Sequence, residues 1–167
     1  MDGAKKLETS PIVHDGLMYI SNTNELYALD ARSGRRVWHY RSEGAKGTRV
    51  NRGSAILGDR VYFVTADCHL IALNRSTGNL AFDVEYASFA AGYSTSIAPL
   101  AVGNSILAGV AGGGSGQRGF VVAIDATTGK ERWRFLDGPR QGRAGVRDVG
   151  EFPGRNGWRP DVDHRLL

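Results

Sequence analysis

Residues 28–38 read ALDARSGRRVW, and the same phrase returns as ALNRSTGNLAF at residues 72–82 and as AIDATTGKERW at residues 123–133. Each copy ends an apolar run at Asp or Asn, continues through a Ser/Thr-Gly cluster, and resumes before a large aromatic residue. Asp and Asn bond to the backbone two residues on, and glycine adopts the positive φ of a tight turn. The phrase therefore predicts a strand, a turn and a second strand with an aromatic residue for packing.

The spacing of the three copies predicts the architecture. Gly34, Gly78 and Gly129 recur at intervals in the range of about 40 to 50 residues that is typical of β-propeller blades. No segment shows the sustained three- and four-residue apolar spacing of a long helix. The predicted strands are 11–13, 16–21, 26–29 and 36–40, then 54–57, 61–65, 70–73 and 80–84, then 96–101, 106–111, 120–124 and 132–135. We therefore expect an all-β chain, a partial β-propeller of about three four-stranded antiparallel blades.

The expected domain covers residues 1–137, with blades near 8–42, 53–87 and 94–137. Strand periodicity stops after Phe135, and residues 138–167 are rich in Arg, Gly and Pro. Such composition is typical of a disordered segment, and it also results when a coding sequence is translated in a shifted frame. We expect a tail outside the propeller, either solvated or frameshifted, and favour the frameshift.

Charge and hydropathy exclude several classes of protein. The formal net charge is +4, but the basic residues form no clustered stripe, so we expect no nucleic-acid partner. No apolar run approaches the roughly 20 residues that a membrane-spanning helix needs. Residues 1–6 carry two lysines without an apolar stretch behind them, so we do not expect a secretory signal here.

Cysteine and histidine predict no chemistry. Cys68 is the single cysteine, and we expect a small, semi-buried structural thiol rather than a nucleophile. The four histidines lack the spacing of a metal site and are His14, His39, His69 and His164.

A glycine-rich connection interrupts the third repeat. Residues 112–119 read GGGSGQRG, where the first two repeats have short turns. Backbone amides of such a loop can approach a ligand closely and bind an anion, or the loop can be a flexible hairpin tip. The residue pattern leaves both readings open.

The repeated phrase resembles the tryptophan-docking motif A-x-D-x-x-T-G-x-x-x-W of the pyrroloquinoline quinone (PQQ) alcohol dehydrogenases. In that family an eight-bladed propeller packs each tryptophan against the neighbouring blade. Further patches are similar to the family in the same order, namely ETSPIVHDGLMY at 8–19, VNRG at 50–53, GYS at 92–94 with APL at 98–100, and the glycine-rich loop with RGF at 118–120. The resemblance covers residues 8 to about 137 and implies an N-terminal propeller fragment.

The resemblance implies a set of cofactor contacts. Family members place a Glu at the position of Glu8 and an Arg at that of Arg52 against polar groups of PQQ. Ser96 stands where a Thr hydroxyl is usual, and Ala111 stands where a Ser is common. The cofactor-binding residues implied are Glu8, Arg52, Ser96, Ala111, Gly112 and Gly113, the last two through their backbone.

Departures from the family pattern concern the metal. Gly114 replaces the Glu that ligates Ca²⁺ or a lanthanide in the family, so we predict no metal ligand here and leave metal binding in doubt. Lys46 and Gly47 stand where many relatives have a vicinal cysteine pair. The family's general base, a metal-ligating Asn and the Trp beneath PQQ belong to later blades, so we expect no catalytic residue and an inactive chain in isolation.

The implied function is oxidation of small alcohols by hydride transfer to PQQ, with electrons passed to cytochrome c in the periplasm. Open blade edges predict self-association. The alternative is a non-catalytic propeller scaffold of the outer-membrane assembly lipoprotein type, in which the docking motif also occurs. Such a scaffold has no reason to combine Glu8, Arg52 and the glycine-rich loop, and this combination favours the enzyme family.

Overall fold

The computed structural model describes residues 7–111 and 117–137, which contain twelve strands and one short 3-10 turn at Phe89–Ala91. The strands are β1 (Ile12–His14), β2 (Leu17–Asn22), β3 (Glu25–Asp30), β4 (Arg36–Arg41), β5 (Ala55–Leu57), β6 (Arg60–Val64), β7 (His69–Asn74), β8 (Leu80–Glu85), β9 (Leu100–Val102), β10 (Ser105–Val110), β11 (Phe120–Asp125) and β12 (Glu131–Leu136). Among these residues no helix is both long and apolar enough to cross a membrane. The tail predicted at 138–167 lies outside the described residues.

The strands form three antiparallel sheets of four, each in chain order. Sheet 1 holds β1 to β4, sheet 2 holds β5 to β8, and sheet 3 holds β9 to β12. The prediction of an all-β chain built from three four-stranded antiparallel units is confirmed.

One predicted strand is shorter than expected. Residues 96–101 alternate like a strand, but β9 begins only at Leu100. The preceding residue Thr95 donates its backbone N–H to the Ala66 carbonyl of sheet 2 at 3.2 Å, and its hydroxyl to the Gly109 carbonyl at 2.9 Å. The segment therefore joins two sheets instead of pairing along one.

Each copy of the repeated phrase forms the same turn. Oδ1 of Asp30 accepts hydrogen bonds from the backbone N–H of Arg32 at 3.2 Å and of Ser33 at 2.7 Å. Asn74 and Asp125 accept the equivalent bonds in sheets 2 and 3. A glycine with φ between 71° and 76° closes every turn. The side chain thus replaces a backbone partner, as the sequence predicted.

The first aromatic residue packs on the neighbouring sheet. Trp38 of sheet 1 lies over Gly78 of sheet 2, where a Cβ atom would meet the indole at 2.8 Å. Its Nε1 donates to the Arg75 carbonyl at 3.0 Å, and the Tyr19 hydroxyl donates to the same oxygen at 3.0 Å. The missing side chain at position 78 therefore makes room for the indole.

The second aromatic residue makes the same contact with a different donor. Phe82 of sheet 2 packs against Gly129 of sheet 3, and the Tyr62 hydroxyl donates to the Ala126 carbonyl at 2.9 Å. Phenylalanine has no N–H, but Nη1 of Arg60 donates to the same carbonyl at 3.0 Å and to the next one at 2.9 Å. The Arg60 guanidinium also lies 5.8 Å from the Phe82 ring centre. A cation thus supplies the donor that the indole supplies in sheet 1.

The hydrophobic core lies between the sheets. Residues that sheets 1 and 2 bury together are Tyr19, Leu26, Ala28, Val61, Phe63, Ile71 and Leu73. A second cluster between sheets 2 and 3 includes Tyr62, Leu70, Phe120, Val122, Ile106 and Ile124. Because full burial of one large apolar side chain contributes about 1.5–3 kcal/mol, these clusters hold the sheets face to face.

A pair of glycine substitutions tests the docking contact. Gly34 and Gly78 have φ of 71° and 76°, but no atom lies within 4 Å of the Cβ position at Gly34. Gly34→Ala should lower the free energy of unfolding by about 1–2 kcal/mol, the cost of the left-handed conformation. Gly78→Ala should lower it by about 2–5 kcal/mol, because the methyl group also collides with Trp38. Urea unfolding measures both, and equal losses would contradict the contact.

Candidate functional site

The candidate site lies at the end of the sheets where β1, β5 and β9 begin. Ser10, just before β1, forms a parallel bridge with Gly53, just before β5. β5 in turn lies against β9. We call this end the upper face, and because the strands alternate in direction the turn between β6 and β7 also lies there.

Gly53 marks the point where the three sheets converge. Its φ is 146°, a backbone conformation that residues other than glycine rarely adopt. A Cβ atom here would meet the Ser10 carbonyl oxygen at 3.1 Å and the Ala98 Cβ at 3.3 Å. The segments that lead into β1, β5 and β9 therefore approach one another closely at a glycine.

Arg52 connects the same three segments through its side chain. Nη1 donates to the Ser96 carbonyl at 3.1 Å and to the Ser96 hydroxyl. Nη2 lies 4.0 Å from Oε2 of Glu8. The Arg52 side chain is 54% exposed and that of Glu8 is 30% exposed. The structure thus brings together Glu8, Arg52 and Ser96, which the resemblance named from separate parts of the sequence.

A buried amide lies directly beneath this trio. Asn51 is 3% exposed, and its Nδ2 donates to the Val64 carbonyl at 2.5 Å. Its Oδ1 accepts from the Ser21 hydroxyl at 2.6 Å and from the Gly53 backbone N–H at 2.8 Å. Sequence reasoning missed Asn51, although it precedes Arg52 in the VNRG patch.

The segment that carries Glu8 is held by the same group of residues. The Thr9 and Ser21 hydroxyls share a hydrogen bond of 2.8 Å, and the Ser10 backbone N–H donates to the Arg52 carbonyl at 3.0 Å. The backbone on both sides of the Glu8–Arg52 pair is therefore fixed.

The remaining predicted contacts belong to the connection after β10. Ala111 follows the last residue of β10 directly and so lies at the upper face. Gly112, Gly113 and Gly114 lie outside the described residues. On the far side of that connection, the Arg118 carbonyl accepts a hydrogen bond of 3.3 Å from the Tyr93 hydroxyl.

Lys46 and Gly47 pack over the turn between β6 and β7. The Lys46 backbone N–H donates to Oδ2 of Asp67 at 2.7 Å. A Cβ atom at Gly47 would lie 3.1 Å from that of Ala66 and 3.4 Å from the Phe89 ring. This loop is therefore anchored on a buried carboxylate.

The described residues contain no group of three or more His, Cys, Asp or Glu side chains that could hold a metal ion. Within that part of the chain, each histidine contacts a different neighbour. His14 bonds to Arg75, His39 stacks on Tyr27 and His69 bonds to Asp83. His164 lies outside the described residues.

Cys68 is more deeply buried than the semi-buried thiol that the sequence predicts. It is 0% exposed and has a φ of 69°. Burial, together with a smaller contribution from the carboxylates of Asp67 and Glu85, raises the pKa of its thiol to about 12. A thiol that stays protonated and covered is a poor nucleophile.

Thiol labelling checks this conclusion directly. Because Cys68 is the only cysteine, the folded chain at pH 8 should react with a disulfide reagent at least a hundredfold more slowly than the chain in denaturant. The ratio of the two labelling rates is the measurement. Comparable rates would show that the thiol is accessible and ionised in the fold.

Comparisons with known proteins identify relatives of this chain. The chain is 40% identical over 147 residues to the quinohemoprotein alcohol dehydrogenase ADH IIB of Pseudomonas putida, a match covering 83% of this chain and 21% of that protein. The solved quinohemoprotein alcohol dehydrogenase ADHIIG from Pseudomonas putida HK5 superposes with a TM-score of 0.75 at 34% identity, over 83% of this chain and 22% of that one. A europium-containing methanol dehydrogenase gives a TM-score of 0.71 at 30% identity, over 81% of this chain and 26% of that one.

A family model, PQQ_2, described as "Outer membrane protein assembly factor BamB", matches residues 2–157. The solved BamB from Moraxella catarrhalis shares the fold, with a TM-score of 0.57 at 23% identity over 77% of this chain and 36% of that one. The match to ADH IIB shows that the chain spans 21% of the length of that curated relative. The chain therefore belongs to the PQQ_2 propeller family and matches, within it, the quinoprotein alcohol dehydrogenases that its sequence resembles.

Proposed function

We propose that this chain forms part of the wall of a PQQ site in an alcohol-oxidising quinoprotein, with Glu8, Arg52 and Ser96 as polar contacts. The observation that carries the proposal is the half-exposed guanidinium of Arg52 at the point where three sheets converge. PQQ is a small polyanion, and a guanidinium is the side chain best suited to carboxylates.

The donor set fits such a ligand. Ser96 engages Nη1 of Arg52, so Nη2 and Nε of the same group remain to donate to a carboxylate. The Glu8 carboxylate, 4.0 Å from Nη2, balances part of the charge and can accept from a ring N–H. Cation, hydroxyl and carboxylate therefore lie within one small area, as recognition of a polar, planar anion requires.

Bound PQQ would supply the redox chemistry by accepting a hydride from the alcohol. The chain's own part is to bind and orient the group. Arg52 would hold a carboxylate of the group and Ser96 orients Arg52. The resemblance adds Ala111, and the backbone of Gly112 and Gly113, to the proposed contacts. We extend the resemblance to small alcohols as substrates, cytochrome c as electron acceptor and the periplasm as location.

By the family resemblance, the general base and one metal ligand, an Asn, are expected on later blades, and Gly114 stands at the position of the family's Glu ligand. We therefore assign cofactor binding to this chain, no catalytic residue and no metal ligand, and expect the chain by itself not to oxidise alcohols. A cofactor-loaded sample that reduces a dye in the presence of ethanol would contradict this expectation. Self-association through open blade edges is also part of the proposal.

A non-catalytic scaffold is the second candidate. The description of the matching family model favours it, and the BamB of Moraxella catarrhalis shares the fold. A scaffold requires the docking contacts between sheets but not the polar trio of Glu8, Arg52 and Ser96 where they converge. Cofactor binding separates the two candidates.

A titration with PQQ and Ca²⁺ tests the proposal. Arg52→Ala should raise the dissociation constant about 10- to 100-fold, since a hydrogen bond to a charged group contributes about 1.5–3 kcal/mol. Arg36→Ala is the matched control, because Arg36 is exposed at the opposite end of sheet 1. Isothermal calorimetry measures both. Equal weakening by the two variants would contradict the site, and no binding by the unaltered chain would favour the scaffold.

A further inference from the structure

The side-chain amide of Asn51 makes hydrogen bonds to three partners inside the protein. The Val64 carbonyl accepts a hydrogen bond from Nδ2, and the Ser21 hydroxyl and the Gly53 backbone N–H both donate to Oδ1. Val64 belongs to sheet 2, Ser21 belongs to sheet 1, and Gly53 lies with Arg52 in the segment before β5. At 3% exposure the amide lies beneath the surface that would meet a ligand.

Only an amide satisfies these partners together. The Val64 carbonyl needs a donor, whereas the Ser21 hydroxyl and the Gly53 N–H need an acceptor. A carboxylate would place a second acceptor against the Val64 carbonyl oxygen, and an apolar side chain would deprive the buried Val64 carbonyl and Gly53 N–H of this partner. The hydrogen bonding at this position therefore requires a side-chain amide.

Two chains of contacts lead from this amide to the charged pair. One runs through the Ser21 hydroxyl to Thr9, the residue next to Glu8. The other runs through the Gly53 N–H, which follows Arg52 directly. The Ser10 N–H bond to the Arg52 carbonyl closes the loop between them.

We propose that Asn51 is a positioning residue that sets the separation between the Glu8 carboxylate and the Arg52 guanidinium, and that it thereby shapes the cofactor contact without touching it. The effect on cofactor binding rests on the proposed function. The effect on the charged pair does not, because both groups belong to this chain. The two effects can therefore be measured separately.

Two substitutions divide the contacts. Asn51→Ala removes the links to both charged residues, whereas Ser21→Ala removes only the link to Thr9 and leaves the bonds of Asn51 to Gly53 and Val64. Tyr62→Phe is the matched control, since it removes one buried hydrogen bond at the opposite end of the sheets. It should destabilise the fold without reaching the upper face.

Side-chain NMR without any cofactor is the first measurement. Asn51→Ala should shift the Arg52 Nε–H resonance towards that of a free arginine and change the Glu8 carboxyl resonance. Ser21→Ala should change the Glu8 resonance and leave that of Arg52 in place. Tyr62→Phe should change neither. Unchanged resonances in Asn51→Ala would overturn the inference, and if that variant does not fold, an unchanged Glu8 resonance in Ser21→Ala would do so.

Binding of PQQ with Ca²⁺ is the second measurement. We expect Asn51→Ala to raise the dissociation constant at least tenfold and Tyr62→Phe to change it less than twofold. If the unaltered chain fails to bind PQQ while the Arg52 and Glu8 resonances still respond to Asn51→Ala, the proposed function fails and the positioning role stands. If binding is normal in Asn51→Ala, the positioning of a cofactor contact is wrong.

Discussion

The packing of an aromatic ring on a left-handed glycine of the next sheet is the contact on which the structure depends. Trp38 on Gly78 and Phe82 on Gly129 repeat it within one chain, and each ring sits beside a turn carbonyl that accepts hydrogen bonds from the previous sheet. The Asp or Asn side chain of each turn stabilises that turn by local hydrogen bonds, so the surface on which the neighbouring aromatic ring packs does not depend on that neighbour. Stacking of the sheets, and the cores between them, follow from that surface.

The site is a consequence of this stacking. Because the three sheets repeat the same strand order, their first strands begin at one end and lie side by side. Glu8, Arg52 and Ser96 are far apart in sequence but each precedes a first strand, and for that reason they meet. Gly53 permits the close approach of the three segments, and the buried Asn51 side chain stabilises it by accepting a hydrogen bond from the Gly53 N–H. The meeting of these three residues is thus a result of the repeated strand order as much as of the individual residues.

The sequence predicts the local features well and the cooperative ones poorly. The Asp30 turn could be predicted because its donors and acceptor lie within three residues. The role of Arg60 could not, because it replaces the indole N–H missing at Phe82 by a bond across sheets. The role of Asn51 cannot be predicted from the sequence because its hydrogen-bond partners come from three segments. The start of β9 cannot be predicted because the Thr95 N–H bonds to the Ala66 carbonyl of another sheet. Glu8, Arg52 and Ser96 were named through family resemblance, which carries contact information that composition does not.

The central claim is that segments from three sheets meet at the Arg52 guanidinium. Nuclear Overhauser effects in a uniformly ¹³C,¹⁵N-labelled sample test it most directly. The account predicts cross-peaks from the Arg52 side chain to the side chains of both Glu8 and Ser96, in the same sample in which the Trp38 indole contacts Gly78. A sample that shows the Trp38–Gly78 contact but no cross-peak from Arg52 to either residue would contradict the account.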